Sequence, residues 1–512
     1  MRRPLWVSRR YALAGATALT AGLLARHTAT ARATGTADVA GKGPRPGDLR
    51  FTVTDRFRPV DLLPPRFARF ERGRAAPTPG PVLAPSGPVA PFATVVADVA
   101  EEAAAMSVSL GLTSVDGRTA VRARYEGGRD GRVAIEVVRP TGTTTVATAP
   151  AALRAPFRLA FTLTGDTVSA FVSSDDPALP WRPLLTDRQG VFRLLDLRDP
   201  RLLSTLRYSF HTSGVTLRKV RAGYFGQLGL RDLHVVREVG GRPYVRDGRV
   251  FFVAGCAGAG FSQAAHAGVW AMDPEHPARM EPVAKLFFAR DGLRYNDHGG
   301  QILHDPARDR FIVVACGGNL PAPGVRVYHT TTEKDVLNGV HVLDSRPLDL
   351  PYTRSAWDPA LVRSDGRWHW AFVDVTAYQP NLSFHPVLAT AAPNGDYHQG
   401  ITLTHDGRRF PQLEGCRWQR FDGTPYLLTS DRAGRRYPVH DLALRPHGYL
   451  DAPYPSGTPF PGVFPWRGAR DPHGWRLVTF DESPYEDHVI GYGTHGAVVA
   501  MRGGRRGTRA RG

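Results

Sequence analysis

Three carboxyl side chains stand at comparable places in the second half of the sequence. Asp358 and Glu414 each lie seven or eight positions before an Asp-Gly turn, and Asp297 lies about 12 positions before a related turn. Three carboxyl groups in one cleft suit glycosidic hydrolysis: one protonates the leaving oxygen, and one activates water or attacks the sugar carbon. The third raises the pKa of the acid, because a nearby like charge disfavours ionisation. The alternative is that each residue serves ordinary turn chemistry at a strand entry.

These turns belong to a repeat. An Asp-Gly-type turn followed by a run of aromatic or β-branched residues occurs five times, and the markers are 62, 56, 57 and 49 residues apart. This period predicts five blades around a central channel, with the innermost strand of each blade starting near the axis. A sandwich with five irregular hairpins is the alternative. The marker residues are Asp247, Asp309, Asp365, Asp422 and Asp471.

The first half of the sequence contains short runs that alternate apolar and polar residues, separated by Gly, Asp and Ser. This pattern is typical of strands in a β-sandwich. Residues 161–172 with 181–184, and then residues 222–236, resemble the paired and closing strands of concanavalin-like jelly-roll domains. We therefore predict an all-β fold, with an N-terminal sandwich followed by a five-bladed propeller. The runs are 108–113, 120–125, 133–139, 157–164 and 167–173.

Two segments around the carboxyl residues resemble five-bladed glycoside hydrolases of family 43 and its relatives. Residues 357–368, Trp-Asp-Pro-Ala-Leu-Val-Arg-Ser-Asp-Gly-Arg-Trp, resemble the family element whose Asp tunes the pKa of the acid. Residues 413–430, which open Leu-Glu-Gly, resemble the element whose Glu is the general acid. The resemblance implies that Asp358 is the modulator and Glu414 the acid. It covers roughly 270 residues.

One position departs from the family pattern. The family's base is an Asp in an Asp-Pro element of the first blade, and the aligned place here holds Arg242-Pro243. Two interpretations follow. Either Asp297 is a relocated base in a secreted glycoside hydrolase, or the chain is a non-catalytic carbohydrate-binding protein that has lost hydrolysis. Both interpretations imply a polysaccharide or oligosaccharide partner.

Aromatic, arginine and histidine residues flank these carboxyls. Aromatic faces stack on sugar rings, although core packing is the competing account. Arginine could pair with a uronate or with the carboxyls, and His298 could orient the base. The family often holds an axial calcium ion beside a histidine, so structural calcium is a possible cofactor near His298 or His341, and none is required. The candidates for substrate binding are Arg242, Arg294, Arg354, Tyr295, Trp357, Trp418 and His298.

The first 33 residues have the pattern of an export signal. Four arginines precede a mildly apolar stretch, and Ala31-Arg32-Ala33 is a small-residue cleavage pattern. Residues 8–13, Ser-Arg-Arg-Tyr-Ala-Leu, resemble the twin-arginine motif. We predict a secreted protein exported by that pathway and free of the membrane after cleavage. An ordinary Sec signal or an uncleaved anchor is the alternative.

The net charge and the cysteine content further restrict the functions and the fold types that the sequence allows. The formal net charge is +18, of which six arginines lie in residues 1–33 and five follow Met501. Without them the body carries +7 and has no basic stripe interleaved with aromatics, so nucleic-acid binding is not expected. Three cysteines, Cys256, Cys316 and Cys416, do not form a disulfide framework and are predicted to be buried thiols.

The predicted organisation has five parts. Residues 1–33 are the signal peptide, and residues 34–91 are a Pro/Gly-rich lead-in. Residues 92–238 are the sandwich, residues 239–501 the propeller, and residues 502–512 a basic disordered tail.

Overall fold

A computed structural model describes residues 44–174, 180–318, 324–468, 471–486, 489 and 491–505, without the side chains of 102–104 and 471–473. These residues form 34 strands and little helix, which confirms the predicted all-β class. The predicted signal peptide and residues 506–512 lie outside the described residues. The helices are α1 (Gly190–Leu194) and α2 (Pro200–Thr205), with 3-10 turns at Pro46–Asp48, Pro65–Phe67, Ser262–Ala264, Pro277–Arg279 and Tyr492–His495.

The N-terminal sheet is built along two long antiparallel strands, β4 and β11. The first half of β4 also pairs with β8 and its second half with β5, so the sheet continues in both directions. Its far strands β10 and β7 contact each other, which closes the sheet over an apolar core. The strands are β2 (Ala68–Arg72), β3 (Val82–Leu83), β4 (Phe92–Ser114), β5 (Ala120–Glu126), β6 (Arg132–Arg139), β7 (Gly142–Pro150), β8 (Phe157–Thr164), β9 (Thr167–Ser174), β10 (Arg182–Arg188) and β11 (Leu206–Gly223).

Five further sheets follow in a propeller-like arrangement. In chain order they contain, first, β12 (Gly229–Val235), β14 (Val245–Arg246), β15 (Arg249–Ala257), β16 (His266–Met272), β17 (Glu281–Arg290), β18 (Leu293–Tyr295) and β22 (Gly339–Asp344). The second contains β13 (Arg237–Glu238), β19 (His298–Asp305), β20 (Arg310–Gly317), β21 (Arg326–Thr332) and β23 (Arg346–Pro347). The third contains β24 (Ser355–Ser364), β25 (Arg367–Ala377), β26 (Ser383–Thr390) and β27 (Thr402–Asp406). The fourth contains β28 (Leu413–Phe421), β29 (Thr424–Asp431), β30 (Pro438–His440) and β31 (Pro446–Tyr449). The fifth contains β32 (Gly462–Gly468), β33 (Asp471–Asp481), β34 (Ala497–Arg505) and β1 (Leu49–Phe57).

The leading strands of these sheets meet one another. Strand β12 contacts β19, β19 contacts β24, β24 contacts β28, β28 contacts β32, and β32 contacts β12. Groups at corresponding positions of these five strands therefore face a common centre.

The repeated Asp-Gly-type turns are hairpin turns, as predicted. Asp247, Asp309, Asp365 and Asp422 have positive φ angles of 52°, 45°, 50° and 50°. Aspartate and asparagine tolerate this left-handed conformation better than most residues, which explains their recurrence at the turn. The fifth marker, Asp471, begins β33.

Three predicted segment boundaries differ from the structure. Strand β12 (Gly229–Val235) pairs with β15, so the propeller-like part begins before the predicted boundary at 238/239. The predicted lead-in contains β1, which pairs along β34 and completes the fifth sheet. Residues 502–505 of the predicted tail belong to β34. The three boundaries are set by which strands pair with one another. Strand pairing carries only a weak signal in the sequence.

The sandwich and the propeller-like part share an apolar core. One buried cluster combines Leu62 and Phe67 of the lead-in, Phe92 and Phe171 of the sandwich, and Phe287 of β17. This common core fixes one part against the other. In the part of the chain that the structure describes, no helix is long and apolar enough to cross a membrane.

Candidate active site

Four leading strands carry a β-bulge at the same place. The register shifts between residues 231 and 234 in β12, 298 and 301 in β19, 357 and 360 in β24, and 414 and 417 in β28. A bulge re-aims the side chains beside it, and bulges are common next to active sites. Each bulge contains one residue with positive φ: Asp232 at 56°, Gly299 at 63°, Asp358 at 51° and Gly415 at 72°.

The bulges bring Asp358 and Glu414 together. The backbone N–H of Gly415 donates to Oδ2 of Asp358 at 2.8 Å, which joins the third sheet to the fourth. Asp358 is buried, whereas Glu414 is partly exposed. Burial raises the pKa of the Asp358 carboxyl. Burial also raises the pKa of Glu414, and the neighbouring charge of Asp358 raises it further.

Asp232, at the bulge of β12, is the third carboxyl of this site. It is 3% exposed, and its negative charge raises the pKa of both Asp358 and Glu414. The adjacent Arg231 donates through Nε to both of its carboxylate oxygens at 3.3 Å. The same guanidinium lies 3.7 Å from Glu482. The site therefore combines a carboxylate paired with an arginine and two carboxyls, Asp358 and Glu414, whose pKa values are raised.

The sequence interpretation missed Asp232 for a specific reason. Fifteen residues separate it from the turn marker Asp247, whereas seven separate Asp358 from Asp365. Reading back a fixed distance from the first marker therefore ended in the wrong segment, and residue 232 was assigned to the sandwich. The usable signal is Arg231-Asp232 at the head of an apolar run, Leu233 to Val236.

Asp297 occupies a different environment from the one predicted. It is fully buried and forms an ion pair with Arg290, whose Nη2 donates to Oδ1 at 3.0 Å. The Arg290 guanidinium in turn lies between the rings of Tyr295 and Tyr328, 3.6 and 3.9 Å from their centroids. Asp232, and not Asp297, is among the main charges that raise the pKa of Asp358 and Glu414, which argues against the relocated-base interpretation.

His298 lies beside Asp232. A Cβ built on Gly255 would be 3.5 Å from Oδ2 of Asp232 and 3.5 Å from Cδ2 of His298, so both side chains flank this glycine. The His298 ring contacts Tyr492 edge-on at 5.3 Å, and its Nδ1 lies 3.2 Å from the Asn296 carbonyl. Burial lowers the pKa of His298, which keeps the imidazole neutral. His298 therefore adjoins Asp232, and its role in substrate binding stays a prediction.

Arg417 links the strand that carries Glu414 to the bulge that carries Asp232. It is buried on β28, and its Nη2 and Nε donate to the carbonyls of Asp232 at 3.2 Å and Leu233 at 3.4 Å. These contacts span the centre from the fourth sheet to the first. They fix the bulge of β12 relative to Glu414.

The 3-10 turn Tyr492–His495 contacts Arg231. The Arg231 guanidinium lies 3.9 Å from the centroid of the Tyr492 ring. Burial raises the pKa of Tyr492 strongly, so its hydroxyl stays protonated. Arg231 is thus enclosed between Tyr492, Asp232 and Glu482.

Arg242 does not occupy the position of the base, which corrects the prediction. Its side chain is 80% exposed and pairs with Glu238 at 2.8 Å in the turn after β13. The other predicted arginines lie away from the three carboxyls in their described contacts. Arg354 donates to the Thr376 carbonyl at 3.0 Å, and the backbone of Arg294 donates to the Arg198 carbonyl at 2.9 Å.

The predicted aromatic residues pack in the protein interior. Trp418 is 1% exposed, and its Nε1 donates to the Ala360 carbonyl at 3.1 Å. Trp357 is partly exposed and meets Phe384 edge-on at 5.4 Å. Core packing accounts for Trp418, because a side chain this deeply buried presents no ring face to a ligand.

The described residues contain no group of three or more His, Cys, Asp or Glu placed to hold a metal ion. His341 lies on β22 and bonds to the Asn338 carbonyl at 2.7 Å. Cys256 and Cys416 are buried and Cys316 is partly buried, and all three are free thiols. Burial raises the pKa of each thiol, which makes them unreactive.

No protein-family model matches this sequence, and no curated protein matches it. Among solved structures, the chain is similar to a GH43_1 enzyme from Xanthomonas citri, at 14% identity over 53% of this chain and 87% of that one, with a TM-score of 0.36. It is also similar to an α-L-arabinofuranosidase from Lactobacillus brevis, at 12% identity over 54% and 91%, with a TM-score of 0.36. The carbohydrate-binding module CBM66 from Bacillus subtilis is 11% identical over 30% and 80%, with a TM-score of 0.20. At these identities and TM-scores the likeness says nothing about activity.

Proposed function

We propose that this chain is a glycoside hydrolase in which Glu414 is the general acid, Asp232 the base or nucleophile, and Asp358 the group that tunes the acid. The observation that supports the proposal is the bulge repeated on neighbouring strands, which assembles these three carboxyls and leaves Asp358 and Glu414 with raised pKa values. Glycosidic hydrolysis needs one protonated and one ionised carboxyl on either side of the bond. The substrate class is a polysaccharide or oligosaccharide.

The environment suits each role. Glu414 is partly exposed and has a raised pKa, so it can hold a proton at neutral pH and reach a substrate. Asp232 accepts hydrogen bonds from Arg231, which positions its carboxylate. Asp358 accepts a hydrogen bond from Gly415, the residue after the acid, and so acts on Glu414 through both position and charge.

The direct test uses purified protein that begins at residue 34. It is incubated with arabinans, xylans, galactans and uronate-containing glycans, and hydrolysis is measured as the release of reducing sugar. General acid–base groups contribute about 10²–10⁴-fold to rate, so Glu414→Gln should lose activity on this scale. A matched control is Glu333→Gln, which changes an exposed glutamate and should remain fully active. Full activity in Glu414→Gln would reject the acid assignment. Binding of glycans without turnover by the unaltered protein would favour the carbohydrate-binding alternative.

We further propose that the five sheets are the five blades of one propeller closed by β1. The contacts that run in a circle from β12 through β19, β24 and β28 to β32 and back support this count. The fifth sheet takes its outer strand from the N-terminal region, which is a common way to lock a closed ring of blades.

Export by the twin-arginine pathway also stands as a proposal. Its support is the Ser8-Arg9-Arg10 sequence ahead of a mildly apolar stretch. Replacing Arg9 and Arg10 by lysine in the full chain should abolish appearance of the protein outside the cytoplasm. Unchanged export of that variant would point to the Sec route.

A further inference from the structure

A cavity of about 310 Å³ lies between the sandwich and the first propeller-like sheet. Its size is at the lower end of the roughly 300–1,000 Å³ range of small-molecule pockets. Residues from α1 and from the β8–β9 turn form one side, and residues around β18 form the other. The lining residues used below are Asp166, Gln189, Phe192, Arg198, Gln263 and Tyr295.

Two aromatic rings stand on opposite parts of the wall. Phe192 comes from the sandwich and Tyr295 from β18, and both are partly exposed. The Arg198 guanidinium lies over both rings, 4.8 Å from the Phe192 centroid and 5.8 Å from the Tyr295 centroid. Arg290 already covers one face of Tyr295, so the apolar contact offered to the C–H groups of a ligand comes mainly from Phe192.

Polar groups with hydrogen-bonding capacity lie beside these rings. Gln263 is 8% exposed, and its side-chain nitrogen has no partner among the described residues. A buried amide donor without a partner costs free energy, which a ligand acceptor would recover. Asp166 is partly buried, and burial raises the pKa of its carboxyl. Gln189 contacts Asp166 and holds a left-handed φ of 71°, an uncommon conformation for glutamine.

The charges of the wall nearly balance. Arg198 is paired with Asp196 at 2.8 Å, and the remaining lining charges are Arg193 and Asp166, one of each sign. A strongly anionic or cationic ligand therefore has no unopposed counter-charge here. The combination of ring faces, an amide donor and a carboxyl acceptor without net charge suits a neutral hydroxylated ring.

We infer that this cavity binds one sugar residue of a neutral oligosaccharide, at a place separate from the three carboxyls. The assignment of a sugar rests on the proposed function, since it extends the same substrate class to a second position. Tyr295 and Asn296, which line the cavity, are followed directly by Asp297 and His298, and His298 adjoins Asp232. One short segment thus links the cavity with the proposed catalytic centre.

The test measures binding in the Glu414→Gln background, where turnover is blocked, by calorimetric titration with xylotriose, arabinotriose, galactotriose and trigalacturonate. We expect at least one neutral trisaccharide to bind. Phe192→Ala and Gln263→Met should each weaken that binding at least tenfold. Two variants are used because either alone could disturb local packing. Tyr449→Ala is the matched control. Tyr449 is an exposed aromatic residue on β31, and the guanidinium of Arg436 lies over its ring. This variant should bind as the parent does.

Four outcomes decide between the ideas. Equal affinity of parent, Phe192→Ala and Gln263→Met for every neutral trisaccharide would overturn the inference. So would the absence of neutral binding at millimolar concentration, or binding of trigalacturonate alone. A neutral trisaccharide whose binding depends on Phe192 and Gln263, in a protein that hydrolyses no glycan, would keep this site while rejecting the proposed function.

Discussion

At the scale of single residues, the proposed chemistry depends on where protons reside. Arg231 pairs with Asp232, while burial raises the pKa of Asp358 and Glu414. Burial and like charges thus raise the pKa of two of these three chemically similar groups. A carboxyl with a raised pKa is what general-acid chemistry at neutral pH requires.

The charge of Asp358 should be visible in the pH dependence of activity. A general acid works only when protonated, so kcat/KM falls as pH rises through the pKa of Glu414. Asp358→Asn removes a negative neighbour and lowers that pKa, so the alkaline limb should move to lower pH by about one unit or more. Asp365→Asn, a turn residue on the same sheet, should leave the limb in place. An unmoved limb in Asp358→Asn would show that Asp358 does not tune the acid.

The raised pKa of Glu414 should also have a cost in stability. Between about pH 4.3, where glutamate ionises in the unfolded chain, and its raised folded pKa, the folded state holds more protons, so the stability of the protein falls as pH rises. Glu414→Gln removes this dependence. Its Tm should match that of the unaltered protein near pH 4 and exceed it increasingly toward pH 8, by about 1 °C for each kcal/mol. A constant difference across this range would contradict the raised pKa.

The repeat was most informative where it was regular. Asp358 and Glu414 lie seven and eight positions before their turns, and the structure joins their strands by a hydrogen bond from the Gly415 N–H to the Asp358 carboxyl. Asp297 and Trp418 were candidates on similar grounds, and Arg242 was singled out because it departs from the family pattern. Their partners, Arg290, Glu238 and the Ala360 carbonyl, come from the folded chain, so the pattern alone gave no sign of those contacts.

At the scale of elements, the bulges determine which side chains face the centre. Gly415 at the bulge of β28 has φ of 72°, and a Cβ there would lie 2.2 Å from the Phe460 ring. Its N–H also holds the Asp358 carboxyl. Gly415 therefore affects the backbone conformation of the bulge, the packing against Phe460 and the position of the Asp358 carboxyl.

Gly415→Ala should separate these effects from simple backbone strain. Gly423 has a similar φ of 76° but open space around its Cβ position, so Gly423→Ala should cost only about 1–2 kcal/mol. Gly415→Ala should cost a further 1–3 kcal/mol, roughly, from overpacking and should also reduce hydrolysis. Urea denaturation of both variants measures the free energy of unfolding. Equal losses would mean that the contact with Phe460 relaxes freely.

The sequence patterns could predict the strands but not which strands pair with each other. The alternating runs in the sandwich predicted β5, β6, β8 and β9 almost residue for residue. The same alternation could not show that β12 leaves the sandwich to pair with β15, because pairing is a contact between distant segments.

At the scale of the whole molecule, the two ends of the described chain lie in one sheet. Strand β1 pairs with β34 from Leu49↔Arg505 to Phe57↔Val498. Phe51 of β1 is 2% exposed within the core shared with Trp475 and Met501, whereas Val53 on the same strand is 49% exposed. The N-terminal strand thus contributes buried surface to the last sheet.

Phe51→Ala should therefore destabilise the whole molecule by about 3–5 kcal/mol, because it leaves a cavity in that core. Val53→Ala should change the free energy of unfolding by less than about 0.5 kcal/mol. Thermal or urea unfolding of both variants compares the two sites. A small loss in Phe51→Ala would indicate that the fifth sheet does not depend on the N-terminal strand.

The central claim is that Asp232, and not Asp297, is the base or nucleophile. The most direct measurement is kcat/KM of Asp232→Asn on the glycan that the unaltered protein hydrolyses best, beside Asp247→Asn, which makes the same change at another positive-φ position of the first sheet. We predict a loss of about 10²–10⁴-fold in Asp232→Asn and full activity in Asp247→Asn. Unaltered activity in Asp232→Asn, with the loss found in a folded Asp297→Asn variant instead, would contradict this account and restore Asp297 as the base.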